Sequence, residues 1–223
     1  MLRSFKMKNS TPALILTRSP AAKRTKREQS EESIEKLLSA ACVLFVSKGY
    51  RATTLDQIAS AAGLTKGAVY FHFGAKEEVL LRLLARVEAQ VIKPAVKILK
   101  LRSGLVSDNL MSFMSLHGEM GITNRQDLLL LIQMSIEFAE QTGKAAECVK
   151  RIYGLLYKPL EALIKRGQIT GEIRNNTPSA ELTAVIIATH DGVFLEWYRR
   201  GGQLNGKILV RATLMFLMQG LGK

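Results

Sequence analysis

The chain holds three histidines and two cysteines, its whole stock of side chains that combine nucleophilic or proton-transfer chemistry with a reference pKa near neutrality. Their placement argues against catalysis. His72 falls inside a short helical segment, and His117 closes a Met-rich apolar stretch. His190 adjoins Asp191, but successive helical positions diverge by about 100°, so no His–carboxylate pair is expected on one face. Cys42 and Cys148 make neither a zinc spacing nor a disulfide framework, and read as small buried hydrophobes in a reducing compartment. The chain also lacks a phosphate-binding loop, a nucleophile elbow and a dinucleotide fingerprint. No catalytic residue, metal site or cofactor is therefore expected, and the chain does not read as an enzyme.

Residues 54 to 73, TLDQIASAAGLTKGAVYFHF, suit recognition instead. Thr54 is a helix N-cap by type, and Leu55, Ile58, Ala59 and Ala62 follow at helical spacing. Gly63 ends that helix, because only glycine enters the left-handed region without a Cβ penalty. Thr65 starts a second helix, Lys66 to about Phe71, whose Val69 and Phe73 join Leu64 in the core. Thr65, Lys66, Gly67, Ala68, Tyr70 and His72 are left on the outer side. That face is small at its leading end, as a helix lying deep in a DNA major groove requires. Gly67 costs the helix about 0.8 to 1 kcal/mol relative to alanine, a sensible choice where backbone must approach a ligand closely.

Residues 49 to 80, GYRATTLDQIASAAGLTKGAVYFHFGAKEEVL, resemble the DNA-binding domain of TetR-family transcriptional regulators. The likeness covers about 50 residues if the helix beginning near Glu32 is included, with the Gly-Tyr, Ala-Gly, Tyr-Phe-His-Phe and Lys-Glu elements at the family's spacing. One position departs: Ala75 stands where the helix opening at Lys76 usually has a capping residue, a loss of about 1 kcal/mol that leaves the reading face untouched. By position, the resemblance assigns base or groove contacts to Thr65, Lys66, Gly67 and Ala68, and phosphate contacts to Tyr70, His72 and Lys76. For Lys76 the plain alternative is a solvated helix end. Arg51, Thr53 and Thr54 precede the first of the two helices and either meet the DNA backbone or serve only as caps.

Net charge is +13, and residues 1 to 28 carry eight basic residues against Glu28 alone, or +7. A basic arm ahead of a DNA-reading unit can track phosphates or enter the minor groove, chiefly through Lys23, Arg24, Lys26 and Arg27; the alternative is a solvated arm without specific contact. Residues 1 to 28 are thus expected as a disordered arm, 29 to 75 as the helix-turn-helix domain and 76 to 223 as a larger helical domain. No segment approaches the 18 or so uninterrupted apolar residues of a membrane span, and Ala13 to Leu16 is too short for a signal sequence, so a cytoplasmic protein is expected.

Hydrophobic residues make up 47% of the chain, with five prolines, so an all-α fold is expected. The first helix should begin near Ser30 to Ser33 and bury Ile34, Leu37, Leu38, Ala41, Leu44 and Phe45. Tyr50 should then pack beneath the following turn or reach a phosphate. The fourth helix, Lys76 to about Val91, carries Val79, Leu80, Leu83, Leu84 and Val87 on one side, and Pro94 marks an end or kink. Further helices are read at 94–102, 106–119, 125–141, 144–167, 178–199 and 205–220, with Thr177 capping the start at Pro178. Residues 163 to 174 also resemble the turn that precedes the last two helices of many family members.

Those last two helices are more apolar than a thin shell needs, through Ala180, Ala184, Ile187, Ala188, Val193, Leu209, Ala212, Leu214, Phe216 and Leu217. Part of their surface is expected to face a second subunit in a homodimer. Met111, Phe113, Met114, His117, Met134, Phe138, Tyr153 and Tyr157 either line a cavity for a small apolar or amphipathic inducer or simply fill the core, and Trp197 and His190 share that ambiguity. What the resemblance implies is a homodimeric repressor of a pseudo-palindromic double-stranded DNA operator, released by a small molecule. A ligand-independent nucleoid-type DNA binder and a membrane-binding module using the basic tail are the alternatives.

Overall fold

The computed structural model describes residues 25–102 and 104–221. Every regular element among them is helical: α1 (Lys26–Lys48), α2 (Leu55–Ala61), α3 (Lys66–Phe73), α4 (Lys76–Val87), a π-helical turn (Glu88–Ile92), α5 (Lys93–Leu99), α6 (Val106–Thr123), α7 (Arg125–Glu137), α8 (Lys144–Thr170), α9 (Ser179–Arg199) and α10 (Gly206–Leu221). No helix among the described residues is long and apolar enough to cross a membrane.

Helix α1 begins earlier than its apolar periodicity indicates. Thr25 Oγ1 accepts from the Glu28 N–H at 3.2 Å while Glu28 Oε2 accepts from the Thr25 N–H at 2.8 Å, a reciprocal cap that satisfies two otherwise orphaned donors. Lys26 and Arg27, expected in a disordered arm, are therefore in the first helical turn, and Arg27 pairs with Glu31 at 2.9 Å. Basic composition masked the capping box. Lys23 and Arg24 lie outside the described residues. The core face is as expected, with Leu37, Leu38, Ala41 and Phe45 buried and Ile34 and Leu44 packed at its edge.

All five apolar positions expected of α4 are buried. The helix does not stop at Pro94. It widens through the π-helical turn and continues as α5, with Pro94 in the first turn of the new segment. A proline lacks the N–H that an α-helix needs there, and the wider turn takes up the mismatch.

In the larger domain α8 is the central rod, packing on α4, α5, α7 and α9 through residues such as Leu156, Leu160 and Ile164. Helix α6 runs through Gly121, a position read from sequence as a break, because a Cβ there would press on the Phe194 ring at 3.3 Å and glycine lets α6 approach α9. Helix α7 ends at Glu137 rather than at 141, and α8 continues to Thr170. Thr177 does not cap α9. Gln168 Nε2 instead donates to the carbonyls of Thr177 (2.8 Å) and Arg174 (3.2 Å), holding the turn into α9 against the end of α8.

The last two helices divide their apolar residues. Ile187 and Leu217 are buried within the subunit, whereas Ala184, Ala188, Val185, Ile208, Met215 and Phe216 are exposed, Phe216 at 76%.

Candidate nucleic-acid interface

Residues 54 to 73 fold as two helices across a tight turn. Thr54 Oγ1 accepts from Gln57 N–H at 3.2 Å, and Gln57 Oε1 accepts from Thr54 N–H at 3.1 Å, which starts α2. Gly63 then turns the chain at φ +66°, and the Leu64 N–H donates back to the Ala59 carbonyl at 3.0 Å. The left-handed conformation closes that bond, and a side chain at 63 would strain it. Thr65 Oγ1 accepts from Ala68 N–H at 3.3 Å and starts α3. Val69 and Phe73 are buried beneath α3, with Leu64 packed against them.

The opposite face of α3 is open. Thr65, Lys66, Gly67 and Tyr70 are exposed, Ala68 and His72 half-buried. Phe71, which the helical pattern assigns to neither face, is the most open aromatic there at 83%. A Cβ added to Gly67 would meet only Thr65 Oγ1, at 4.0 Å. Among the described residues nothing calls for glycine at 67, although alanine would favour the helix by about 1 kcal/mol. Lys66 Nζ lies 2.6 Å from Asp56 Oδ2 of α2, both side chains being more than half exposed.

Two expected DNA contacts are placed otherwise. Thr53 is fully buried, and its hydroxyl donates to the Gly49 carbonyl at 2.8 Å with the Leu44 carbonyl at 3.3 Å, so it ties the end of α1 and presents nothing outward. Lys76 Nζ donates to the carbonyls of Tyr50 (2.8 Å), Thr53 (2.8 Å) and Arg51 (3.3 Å) and sits 4.4 Å from the centre of the Tyr50 ring. An ammonium has three N–H bonds, and all three are engaged; a phosphate contact would have to displace one. Burial pushes the Lys76 pKa down. Tyr50 packs between Phe45 and Phe138 rather than reaching outward, and burial raises its pKa. Thr54 remains exposed.

Helix α7 of the larger domain holds this unit from behind at both its ends. At one end the Glu137 carboxylate accepts from the backbone N–H groups of Tyr50 (3.2 Å) and Arg51 (3.1 Å). At the other, Asp127 Oδ1 accepts from Arg86 Nη2 of α4 at 2.7 Å and lies 3.9 Å from the Cys42 thiol of α1. Burial, with the Asp127 charge second, pushes the Cys42 pKa up to about 12, so the thiol stays protonated. Cys42 is thus a buried residue with a weak donor role, as its type suggests.

The residues singled out for a ligand do not gather at one place. Met114 and His117 of α6 line a narrow cavity of about 50 Å³ closed by His190, Phe194 and Trp197 of α9 and by Leu209, Val210 and Thr213 of α10. Tyr153 lines a smaller void of about 20 Å³, which shares His117 and His190. Phe113 and Met134 are wholly buried in the core, Phe138 packs on Tyr50, and Met111 and Tyr157 are about 40% exposed. Of the residues that complete the cavity, His190 and Trp197 were open candidates in the sequence, whereas Phe194, Val210 and Thr213 sit too far along the chain for spacing to link them to α6.

His117 is buried, its Nδ1 3.1 Å from the Phe113 carbonyl, and burial pushes its pKa down to about 3. Neutral His117 therefore carries its proton on Nδ1, leaving Nε2 as an acceptor. The His190 ring stacks edge-on against it at 4.4 Å. His190 Nδ1 also lies 2.9 Å from Asp191 Oδ1, contrary to the expectation from helical geometry. The 100° rule sets Cβ directions, and side chains of this length bridge the gap where neighbouring helices fold them against the surface.

Residues 37–83 match the model for bacterial regulatory proteins of the tetR family. A 64-residue stretch is 48% identical to the HTH-type transcriptional regulator SrpR of Pseudomonas putida, covering 29% of this chain and 30% of that protein. A match of the same length to TtgW of Pseudomonas putida covers 47% of it, so the chain spans under half of these curated relatives. The transcriptional repressor KstR2 of Rhodococcus jostii is similar over more of the chain, 26% identical across 188 residues, 83% of this chain and 89% of that one. The crystal structure of the MbdR regulator from Azoarcus sp. CIB superposes with a TM-score of 0.77 at 40% identity, covering 85% of this chain and 98% of that one. With the exposed α3, the helical second domain and this likeness over most of the chain together, the chain belongs to the TetR family of bacterial regulatory proteins, which are DNA-binding transcriptional regulators and not enzymes.

Proposed function

We propose that the protein is a homodimeric, cytoplasmic repressor that binds a pseudo-palindromic operator and leaves it when a small apolar or amphipathic molecule enters the larger domain. The observation that carries the DNA reading is Gly67, exposed on an open helix face and required by no neighbour among the described residues. Thr65, Lys66, Gly67 and Ala68 read the groove, while Thr54, Tyr70 and His72 meet the backbone. Lys26 and Arg27, on the first turn of α1, extend the basic surface. Lys76 acts one step back, holding the turn that presents α2.

The exposed apolar residues of α9 and α10 supply the partner surface. Two reading helices carried on such a dimer match B-DNA when they lie about 34 to 36 Å apart. The cavity of about 50 Å³ between α6, α9 and α10 is far smaller than the roughly 300 Å³ of a ligand pocket, so an inducer must part those helices. Movement there reaches the DNA-binding domain through α7 and α4. A coupling of about 1 to 3 kcal/mol gives a several-fold to hundred-fold release. The repressor assignment follows the character of its relative KstR2.

The test is selection of genomic DNA fragments by the purified protein, followed by footprinting of those retained. The reading expects one or a few sites with two half-sites a helical turn apart, and loss of discrimination in Gly67→Leu. Uniform retention of random fragments would favour the ligand-independent nucleoid-type binder instead.

A further inference from the structure

A second, open cavity lies apart from the central one. It is a groove of about 940 Å³ between α5, the turn that follows it, and α8. Lys100, Arg102, Lys158 and Arg166 line it, and its floor is apolar, with Leu99, Leu155 and Leu163. Among the described residues no carboxylate lines it. Glu161, on the same helix, is committed to Lys165 at 2.7 Å and Ser179 at 3.2 Å, and Glu172 accepts from the Val106 N–H at 2.7 Å. Arg166 is left incomplete: one guanidinium nitrogen donates to the Leu101 carbonyl at 3.1 Å, while Nη2 is enclosed with no acceptor. A guanidinium matches phosphate geometry.

Operator DNA does not explain these charges. From Lys76 the helical rod of α4, the π-helical turn and α5 runs 24 residues to Leu99, about 35 Å at 1.5 Å per residue, which carries the groove far from α3. The volume fits a small molecule. We propose that this groove is a second ligand site, for a soluble amphipathic phosphate ester whose phosphate is held by the four cations and whose apolar part lies on the leucine floor. Four cations around one anion with no competing carboxylate also make its affinity fall with salt.

The experiment is calorimetric titration of the full chain, without DNA, with octyl phosphate as probe. Inorganic phosphate supplies the charge alone, octyl glucoside the tail alone, and phosphatidylglycerol vesicles a lipid surface. Expected is saturable binding of octyl phosphate at least ten-fold tighter than either partial probe, weakened at least ten-fold in Arg102→Ala/Lys158→Ala. Both substituted residues are exposed, so the variant should keep the wild-type circular dichroism spectrum and operator affinity. Equal binding of octyl glucoside, binding unaffected by the double substitution, or capture by vesicles in its place would overturn the proposal. Each leaves the operator reading intact, because DNA binding is measured separately.

Discussion

Arg86 Nη2 and Asp127 Oδ1 meet at 2.7 Å across the boundary between α4 and α7, with the two side chains only 20% and 9% exposed. Arg86 Nε has no partner there, so the pair is enclosed but not fully satisfied. Removing one partner strands the other charge, a cost of about 3 kcal/mol at the lower end of the range for buried pairs. Asp127→Ala should therefore lower the free energy of unfolding by about that much in urea titration. Arg86→Met/Asp127→Leu should recover most of it, and a double variant no more stable than the single one would mean that the pair is not the source.

Glu137 caps the backbone at Tyr50 and Arg51, immediately before the turn into α2. Hydrogen bonds to a charged acceptor contribute about 1.5 to 3 kcal/mol each, but Arg51 is exposed and water can replace part of the loss. Glu137→Ala should cost about 1 to 2 kcal/mol of stability and weaken operator binding several-fold, because the segment feeding α2 is no longer held. Fluorescence anisotropy with a labelled operator reads the second effect. Wild-type affinity in this variant would show that α7 does not hold the reading unit in register.

Lys66 is held at 2.6 Å by Asp56 before DNA arrives, and the Asp56 contact raises its pKa. Asp56→Asn frees the ammonium and removes a negative charge beside the phosphates. The variant should bind DNA several-fold more tightly, with the gain largest at low salt and greater on random DNA than on operator. Lys66→Glu should do the reverse and abolish discrimination. Equal affinities of Asp56→Asn and wild type at low salt would argue that Lys66 stays away from the DNA.

His117 is kept neutral by burial, its pKa pushed down to about 3 from an ordinary 6.5. The unfolded chain takes up a proton below 6.5 that the folded chain refuses, so stability is fully present above that pH and falls as pH drops toward 3. Between pH 7 and pH 5 the loss from this group is about 2 kcal/mol. His117→Phe should flatten that part of the profile in urea melts, whereas a slope unchanged from wild type would place the titration elsewhere.

Phe216 and Ile208 of α10 are 76% and 67% exposed in the single chain. A charge at either position would have to be desolvated in an apolar interface. Phe216→Glu should shift the sedimentation profile from dimer to monomer and abolish operator binding while leaving the helical content intact. A dimer that survives this change would move the interface off α10.

The reading unit was legible in the residues themselves because its contacts are local. Thr54, Gly63 and Thr65 act within a few positions, and the stripe from Leu55 to Ala62 repeats at one period, so short-range chemistry is enough to place α2, the turn and α3. The apolar face of α4 was legible for the same reason. The start of α1 was hidden by composition, since four basic residues around Thr25 look like an arm until the Thr25–Glu28 cap is seen. Lys76 and Thr53 looked like DNA contacts because type and position fit, and only folding brought the carbonyls of residues 49 to 53 around them.

Long-range pairings lay beyond the sequence. Asp127 finds Arg86 and Cys42 across 41 and 85 positions, Glu137 finds Tyr50 across 87, and Met114 shares a cavity wall with Thr213. Helical periodicity says which face of each helix is apolar; it does not say which other helix that face meets. The sequence by itself therefore determined an all-helical chain with a glycine-edged second helix in its helix-turn-helix. The tertiary structure decided which polar groups are spent inside, which stay exposed, and where the cavities lie, because those depend on the angles and distances at which separate helices pack.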